Sequence, residues 1–137
     1  MKFLLLILLI FIFHNCGRVS EIHLGNNYYY VSEGGKKTFI SLRNKEKLAI
    51  EKDIIMPTIV EYKYNNEYVI VYRVITEEMS KFYKDTNDED WNKQLGMDIQ
   101  YWLIEKHKNK VIGPLDKRHF SQIRDSLKID LAFNKNY

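Results

Sequence analysis

The sequence predicts an α+β fold: an antiparallel β-meander of about six strands, a C-terminal helix packed on one face, and a short helical excursion near residues 76–96. Three observations predict it. Apolar residues alternate with polar ones, at the period of a half-buried strand, in several stretches from Ile22 onward. Turn chemistry at Gly25-Asn26-Asn27, Gly34-Gly35 and Asn65-Asn66 punctuates those stretches. Helical spacing takes over after Thr76 and again after Leu115, and strands joined by local hairpins argue against a parallel α/β sheet.

The first stretch belongs to no strand. Lys2 gives a short positive region and Phe3 to Phe13 an unbroken apolar run, about half of the roughly 20 residues that cross a bilayer. That is the length of a signal-peptide hydrophobic region. His14-Asn15 follows, then Cys16, the only cysteine in the chain. A single Cys closes no internal disulfide, so it pairs between chains, stays free or is modified. Its position just after the apolar run favours modification, and the stretch resembles a bacterial lipoprotein signal, in which that Cys is acylated. Phe13, His14 and Asn15 depart from the usual Leu and small residues there; the alternative is an uncleaved, weakly anchoring segment. The expected organisation is a signal over residues 1–15, a lipidated Cys16 with a tether to residue 20, and one α+β domain over 21–137. Two or three acyl chains on one residue give a stable anchor.

The elements follow in order. Ile22 and Leu24 flank polar His23 in a short strand, and Tyr28 to Val31 begins another beyond the turn. Lys37 to Leu42 is a third candidate, while Lys47 to Ile50 is short and ambiguous. Met56-Pro57 disfavours helix and marks the start of a strand or a sheet edge. Ile59–Tyr64 and Glu67–Val74 flank Asn65-Asn66, a suitable two-residue hairpin turn. With Tyr64 opposite Glu67, Val60, Tyr62, Val69 and Val71 share the core face, and this hairpin is the expected centre of the sheet. Thr76 caps a short helix bearing Met79, Phe82 and Tyr83. Thr86 to Glu89 fits a capping box ahead of Trp91 and Leu95, and Gly96 is the stop, so the excursion is two short helices or one helix and a loop. Ile99 to Glu105 is a strand with Tyr101 and Leu103 on one side and Trp102 and Ile104 on the other. Lys106 to Lys110 is a polar turn, Val111-Ile112 return, and Gly113-Pro114 ends the hairpin. Asp116 caps the last helix, with Leu115 and Phe120 as its hydrophobic staple and Phe120, Ile123 and Leu127 as its apolar stripe. Ile129 to Phe133 is a candidate final strand.

Lys and Arg number 21 against 18 Asp and Glu, and Lys2 leaves with the signal. The signs are interspersed, which does not suggest a nucleic-acid binder. Ten Tyr against six Gly and two Pro suit pleated, half-buried strands.

Several stretches together resemble a family of small Gram-negative bacterial lipoproteins catalogued only as a domain of unknown function. They are His23 to Val31, Pro57 to Ile70, Tyr101-Trp-Leu-Ile104 and Asn109-Lys-Val-Ile-Gly-Pro-Leu115. The resemblance implies a lipoprotein and a compact α+β domain, and it brings no catalytic residues.

Candidate chemistry is sparse. Asp85, Asn87 and Glu89 stand at the first spacings of a calcium loop, but Asp90 and Gly96 occupy the places of the required Gly and Glu. Acids in the first turn of a helix are the simpler reading. His14, His23, His107 and His119 show no metal-ligand spacing, Ser80 and Ser121 have no local partner, and the phosphate-loop fingerprints are absent. No metal and no cofactor is expected. Lys106, Lys108, Lys110, Lys117 and Arg118 form a modest basic cluster, read as a solvated turn. The expected function is a membrane-anchored envelope module, facing the periplasm and without catalysis. It is held to lipid through Cys16 and binds an envelope partner through exposed aromatics among Tyr28, Tyr30, Tyr68 and Trp91. The alternatives are a small envelope hydrolase with a site assembled from distant residues, or an immunity or inhibitor protein. A deep cleft with converging carboxylates would favour the hydrolase; an aromatic surface patch would favour the binding module.

Overall fold

The computed structural model describes residues 19–35, 37–43, 50–84 and 89–137, apart from the side chains of residues 50, 51 and 90. Strands β1 (Ser20–Gly25), β2 (Tyr28–Ser32), β3 (Thr38–Arg43) and β4 (Ile50–Ile55) form one antiparallel sheet in sequence order. Strands β5 (Ile59–Tyr64), β6 (Tyr68–Val74), β7 (Ile99–Glu105) and β8 (Lys110–Leu115) form a second. The expected single meander of about six strands is therefore two four-stranded meanders. The chain changes sheets at Met56-Pro57-Thr58, where proline removes a backbone donor and the ladder stops.

Helices α1 (Glu77–Lys84) and α2 (Glu89–Lys93) occupy the link between β6 and β7, and α3 (Lys117–Ser126) follows β8. Thr76 Oγ1 accepts from Met79 N at 3.3 Å, the cap that the sequence predicts. The capping box at Thr86–Glu89 falls largely on residues 85–88, outside the described residues.

The second sheet is the middle layer. Val69, Val71, Trp102 and Ile104 face the first sheet, meeting Leu24, Tyr28, Ile40 and Ile55. Ile70, Tyr72, Tyr101 and Leu103 face the other way, onto Phe120 and Ile123 of α3 and Leu127 at its C-terminal cap. Strands β6 and β7 thus bury both faces, which explains their near-continuous apolar sequences. The two sides of β7 fall as expected.

The β5–β6 register differs from the expected one by two residues. Tyr64 lies opposite Val69 and Tyr62 opposite Val71, so the side chains keep their faces. The connection is wider because the Asn65 side-chain oxygen accepts from Glu67 N (2.9 Å) and Tyr68 N (2.8 Å), an Asx turn. The positive-φ pair is Asn26-Asn27, at 47° and 66°, between β1 and β2. An irregularity between Ile59 and Glu61 also puts Ile59 in the core and leaves Val60, expected inside, 48 % exposed. At the far end β8 continues through Gly113-Pro114 to Leu115 rather than stopping there.

Asp116 caps α3 as predicted, accepting from His119 N at 2.8 Å, and Leu115 and Phe120 both join the outer core. Residues 129–133 are not a strand. Lys128 takes φ 53°, Ile129 N donates to Arg124 O and Lys128 N to Asp125 O, which closes the helix in a Schellman motif. Ile129 is thereby turned into the core, and the tail runs on across the middle sheet through Leu131, Phe133 and Tyr137. Asn134 ties it to β5: its N–H donates to Glu61 Oε1 (2.7 Å) and its Oδ1 accepts from Lys63 Nζ (2.8 Å).

Candidate binding cleft

Antiparallel pairing brings distant segments to one end of the molecule. Ser20 pairs with Ser32, Ser32 with Thr38, and Ile40 with Ile55. The β2–β3 turn, the end of β4 and the start of the described chain therefore share one pole. Thr38 joins the sheets there, accepting from Ile59 N at 2.9 Å and donating to Ile59 O at 3.0 Å. Helices α1 and α2 close over this pole.

Between them opens a cleft of about 380 Å³, within the range of small-ligand sites. Glu33 and Lys37 come from the β2–β3 turn, Phe39 from β3, Asp53 from β4, Pro57 from the link, Phe82 and Tyr83 from α1 and Trp91 from α2. Gly34 and Gly35, at φ 94° and 57°, give the turn its left-handed backbone, and Glu33 N donates across it to Lys37 O at 3.0 Å. The Tyr83 and Trp91 rings lie 4.0 Å apart between centroids. Tyr83 is buried while Phe82 is 66 % exposed on the rim, because α1 turns only part of its apolar stripe inward.

Asp53 is the unusual group. Its Oδ1 is buried and accepts no hydrogen bond, and opposite it in register the buried Ser41 Oγ is also unpartnered. Burial, and then the nearby Glu33 charge, raise the Asp53 carboxyl above the usual carboxylate range.

Beneath the cleft lies a buried polar network. Arg73 is fully buried on the inner face of β6. Its Nε and Nη2 donate to Pro57 O (3.1 and 2.9 Å), and its Nη1 donates to Gln100 Oε1 (2.8 Å) and Gln94 Oε1 (3.3 Å). Gln94 reaches on to the first sheet, donating to Ile54 O and accepting from Met56 N, each at 3.2 Å. Burial pulls the guanidinium pKa down to about 10, against an opposing effect of Tyr83, so the charge persists at neutral pH. Arg73 thus holds the Pro57 floor and the α2 end of the roof in one position.

The residues singled out from the sequence are scattered. Cys16 and His14 lie outside the described residues, as do residues 85–88 of the acidic cluster. Tyr28 is 1 % exposed and presents no surface: it points between the sheets, where the sequence gives no sign of which face is covered. Tyr30 is half-buried and stacks on Tyr62 with centroids 4.3 Å apart, and Tyr68 packs at the outer core. Trp91 alone of the four lines the cleft. Lys106 departs from the solvated-turn reading: it is 2 % exposed, and its Nζ donates to Leu24 O (2.5 Å) and to Asn65 O, tying the sheets at the opposite pole. Lys108 pairs with the buried Glu105 at 2.7 Å. His23 stands beside Tyr29, His107 within 3.3 Å of Asn26 and His119 within 2.7 Å of Asp116, all away from the cleft lining. Among the described residues no three His, Cys, Asp or Glu side chains are placed to share a metal ion, and no helix is long and apolar enough to cross a membrane.

No curated protein and no solved structure matches the chain. The match that exists is to a family described as Protein of unknown function (DUF3997), over residues 25–137. That span takes in β2 to β8, the cleft walls and α3, and begins at the last residue of β1. The chain belongs to the DUF3997 family.

Proposed function

We propose that the protein is an envelope lipoprotein, anchored through acylated Cys16 and facing the periplasm, that acts as a non-catalytic binding module. Its ligand or partner occupies the cleft between the β2–β3 turn and helices α1 and α2. The observation that carries this reading is the place where the chain joins the fold. Ser20 pairs with Ser32, whose neighbour Glu33 forms part of the cleft wall. The stretch from Cys16 to Ser20 spans at most about 14 Å when extended, so an anchor at Cys16 holds the cleft close to the bilayer surface. Four aromatic rings around two carboxylates suit recognition better than a smooth face does.

The test is fractionation of the full-length protein beside Cys16→Ser, with mass analysis of the N-terminal peptide and crosslinking in native membranes. An acylated peptide beginning at Cys16 is expected, with the variant released from membranes. An unmodified Cys16 on an uncleaved chain overturns the anchor. Crosslinks from residues placed at Lys37 or Phe82 are expected to map the bound partner; crosslinks confined to the opposite pole overturn the cleft.

One observation favours a hydrolase as the second reading: Glu33 and Asp53 converge in the cleft, and Asp53 is shifted toward the protonated form that a general acid requires. Turnover of an envelope glycan or peptide that disappears in both Asp53→Asn and Glu33→Gln would establish it in place of the first.

A further inference from the structure

We propose that the cleft is specific for an organic cation, an ammonium or guanidinium on an apolar stem, with Asp53 and Glu33 holding the charge and the rings of Phe39, Tyr83 and Trp91 holding the stem. The inference rests on the cleft being the binding site and names the chemical class of what it binds.

Three features of the cleft require it together. The first is the unanswered carboxylate. Asp53 Oδ1 is buried without a donor, although a buried carboxylate oxygen normally has one. Neither Asp53 nor Glu33 forms an ion pair among the described residues; Lys37, on the same wall, is exposed and pairs with neither. Two carboxylates near each other in a half-buried site repel, and a cation between them removes that repulsion. An anion meets the opposite situation.

The second feature is the walls. Aromatic faces carry negative potential, so a cation over Tyr83 or Trp91 gains about 0.5–2 kcal/mol that a neutral ligand of the same shape does not. The third is that, among the described residues lining the cleft, the cation is Lys37, exposed on the wall, and no buried cation reaches in. Arg73, fully buried, spends its donors on Pro57, Gln94 and Gln100. A neutral ligand therefore finds rings and acceptors, an anion only the exposed Lys37, and a cation both of its natural partners.

The experiment uses the full-length protein in nanodiscs of zwitterionic lipid, with empty nanodiscs subtracted. Three probes of one shape are titrated by calorimetry at neutral pH: phenethylammonium, 2-phenylethanol and phenylacetate. The ammonium is expected to bind at least tenfold more tightly than the alcohol, and phenylacetate more weakly than either. Asp53→Asn is expected to bring the ammonium down to the affinity of the alcohol and to leave the alcohol unchanged. Its thermal unfolding serves as the check that the variant is folded. Equal binding of ammonium and alcohol, or an Asp53→Asn variant that keeps the preference, overturns the cation and leaves the cleft as a general apolar site. Binding of none of the three overturns the cleft itself.

Discussion

Arg73 and Gln100 stand opposite each other on β6 and β7, and Gln100 Oε1 accepts both from Arg73 Nη1 at 2.8 Å and from Trp102 Nε1 at 3.1 Å. A full positive charge is thus held in the sandwich by carbonyl oxygens and amides, and among the described residues no carboxylate is a hydrogen-bond partner. Gln100→Leu removes the central acceptor and leaves a buried charge and an indole N–H short of a partner. It is expected to cost about 2–4 kcal/mol in urea unfolding. Arg73→Met with Gln100→Leu is expected to cost less than the sum of the two single changes, since the orphaned charge is gone. Strict additivity would show that the pair is not coupled.

Asp53 gives a stability prediction with a definite sign. Its carboxyl is raised by burial and by Glu33, so the native chain keeps the proton over a pH range where the unfolded chain has lost it. Stability then falls as pH rises from the ordinary carboxylate value of about 4 through the raised one. Glu33 and Lys37 on the turn and Tyr83 on α1 share the cleft with it. Asp53→Asn is expected to raise Tm at pH 7 and to flatten its slope in that acid window. A lower Tm at pH 7 would mean that the carboxylate has a partner after all.

At the other pole, an alanine Cβ at position 25 would lie 2.7 Å from Lys106 Nζ, on a backbone at φ 96°. Gly25→Ala is expected to destabilise by about 1–3 kcal/mol through this clash and the left-handed strain together. Lys106→Met leaves Leu24 O and Asn65 O without their donor and costs about 2–4 kcal/mol. The two changes combined are expected to cost less than their sum, because the clash disappears with the ammonium. Chemical denaturation of the four proteins measures this.

Gly113→Ala tests the middle sheet from its edge. A Cβ there would sit 2.5 Å from the Trp102 ring, on a backbone at φ 150°. We expect a loss of about 1–3 kcal/mol and a changed near-ultraviolet dichroism from a displaced Trp102. An unchanged spectrum would show that β8 moves instead of the indole.

Asn26-Asn27 and Asn65-Asn66 show how far the sequence could be read. Both dipeptides signal a turn, and both are turns, yet only the first uses positive φ. The second is set by hydrogen bonds from Glu67 and Tyr68 to one side chain, which composition does not reveal. The last helix was legible because its cap, staple and stripe are all local. Tyr28 was misread because alternation separates two faces without saying which one another sheet covers. Ile129 looked like the start of a strand because no Gly or Asn marks Lys128 as a helix end. The cleft was illegible for a different reason: its walls come from residues 33 to 91, brought together by pairing between strands and by the packing of α1 and α2 over them. Arg73 read as one more residue of a strand, and nothing local marks it as buried.

Every strand in both sheets pairs with its neighbour in sequence. Within the first sheet the ladders join nearby segments, whereas β6 and β7 pair across the link that carries α1 and α2, and the stacking of residues 20–55 onto 59–105 is a second long closure. A chain emerging from its N-terminus forms the first four hairpin strands early, with Leu24, Tyr28, Ile40 and Ile55 still facing water. Those side chains find their cover only when β6 and β7 have appeared, so the first half waits, uncommitted, for the second. In kinetic terms the middle sheet is the gate. Substitutions at Val71 or Trp102 are expected to slow folding, while those at Ile22 or Val60 act mainly on the rate of unfolding.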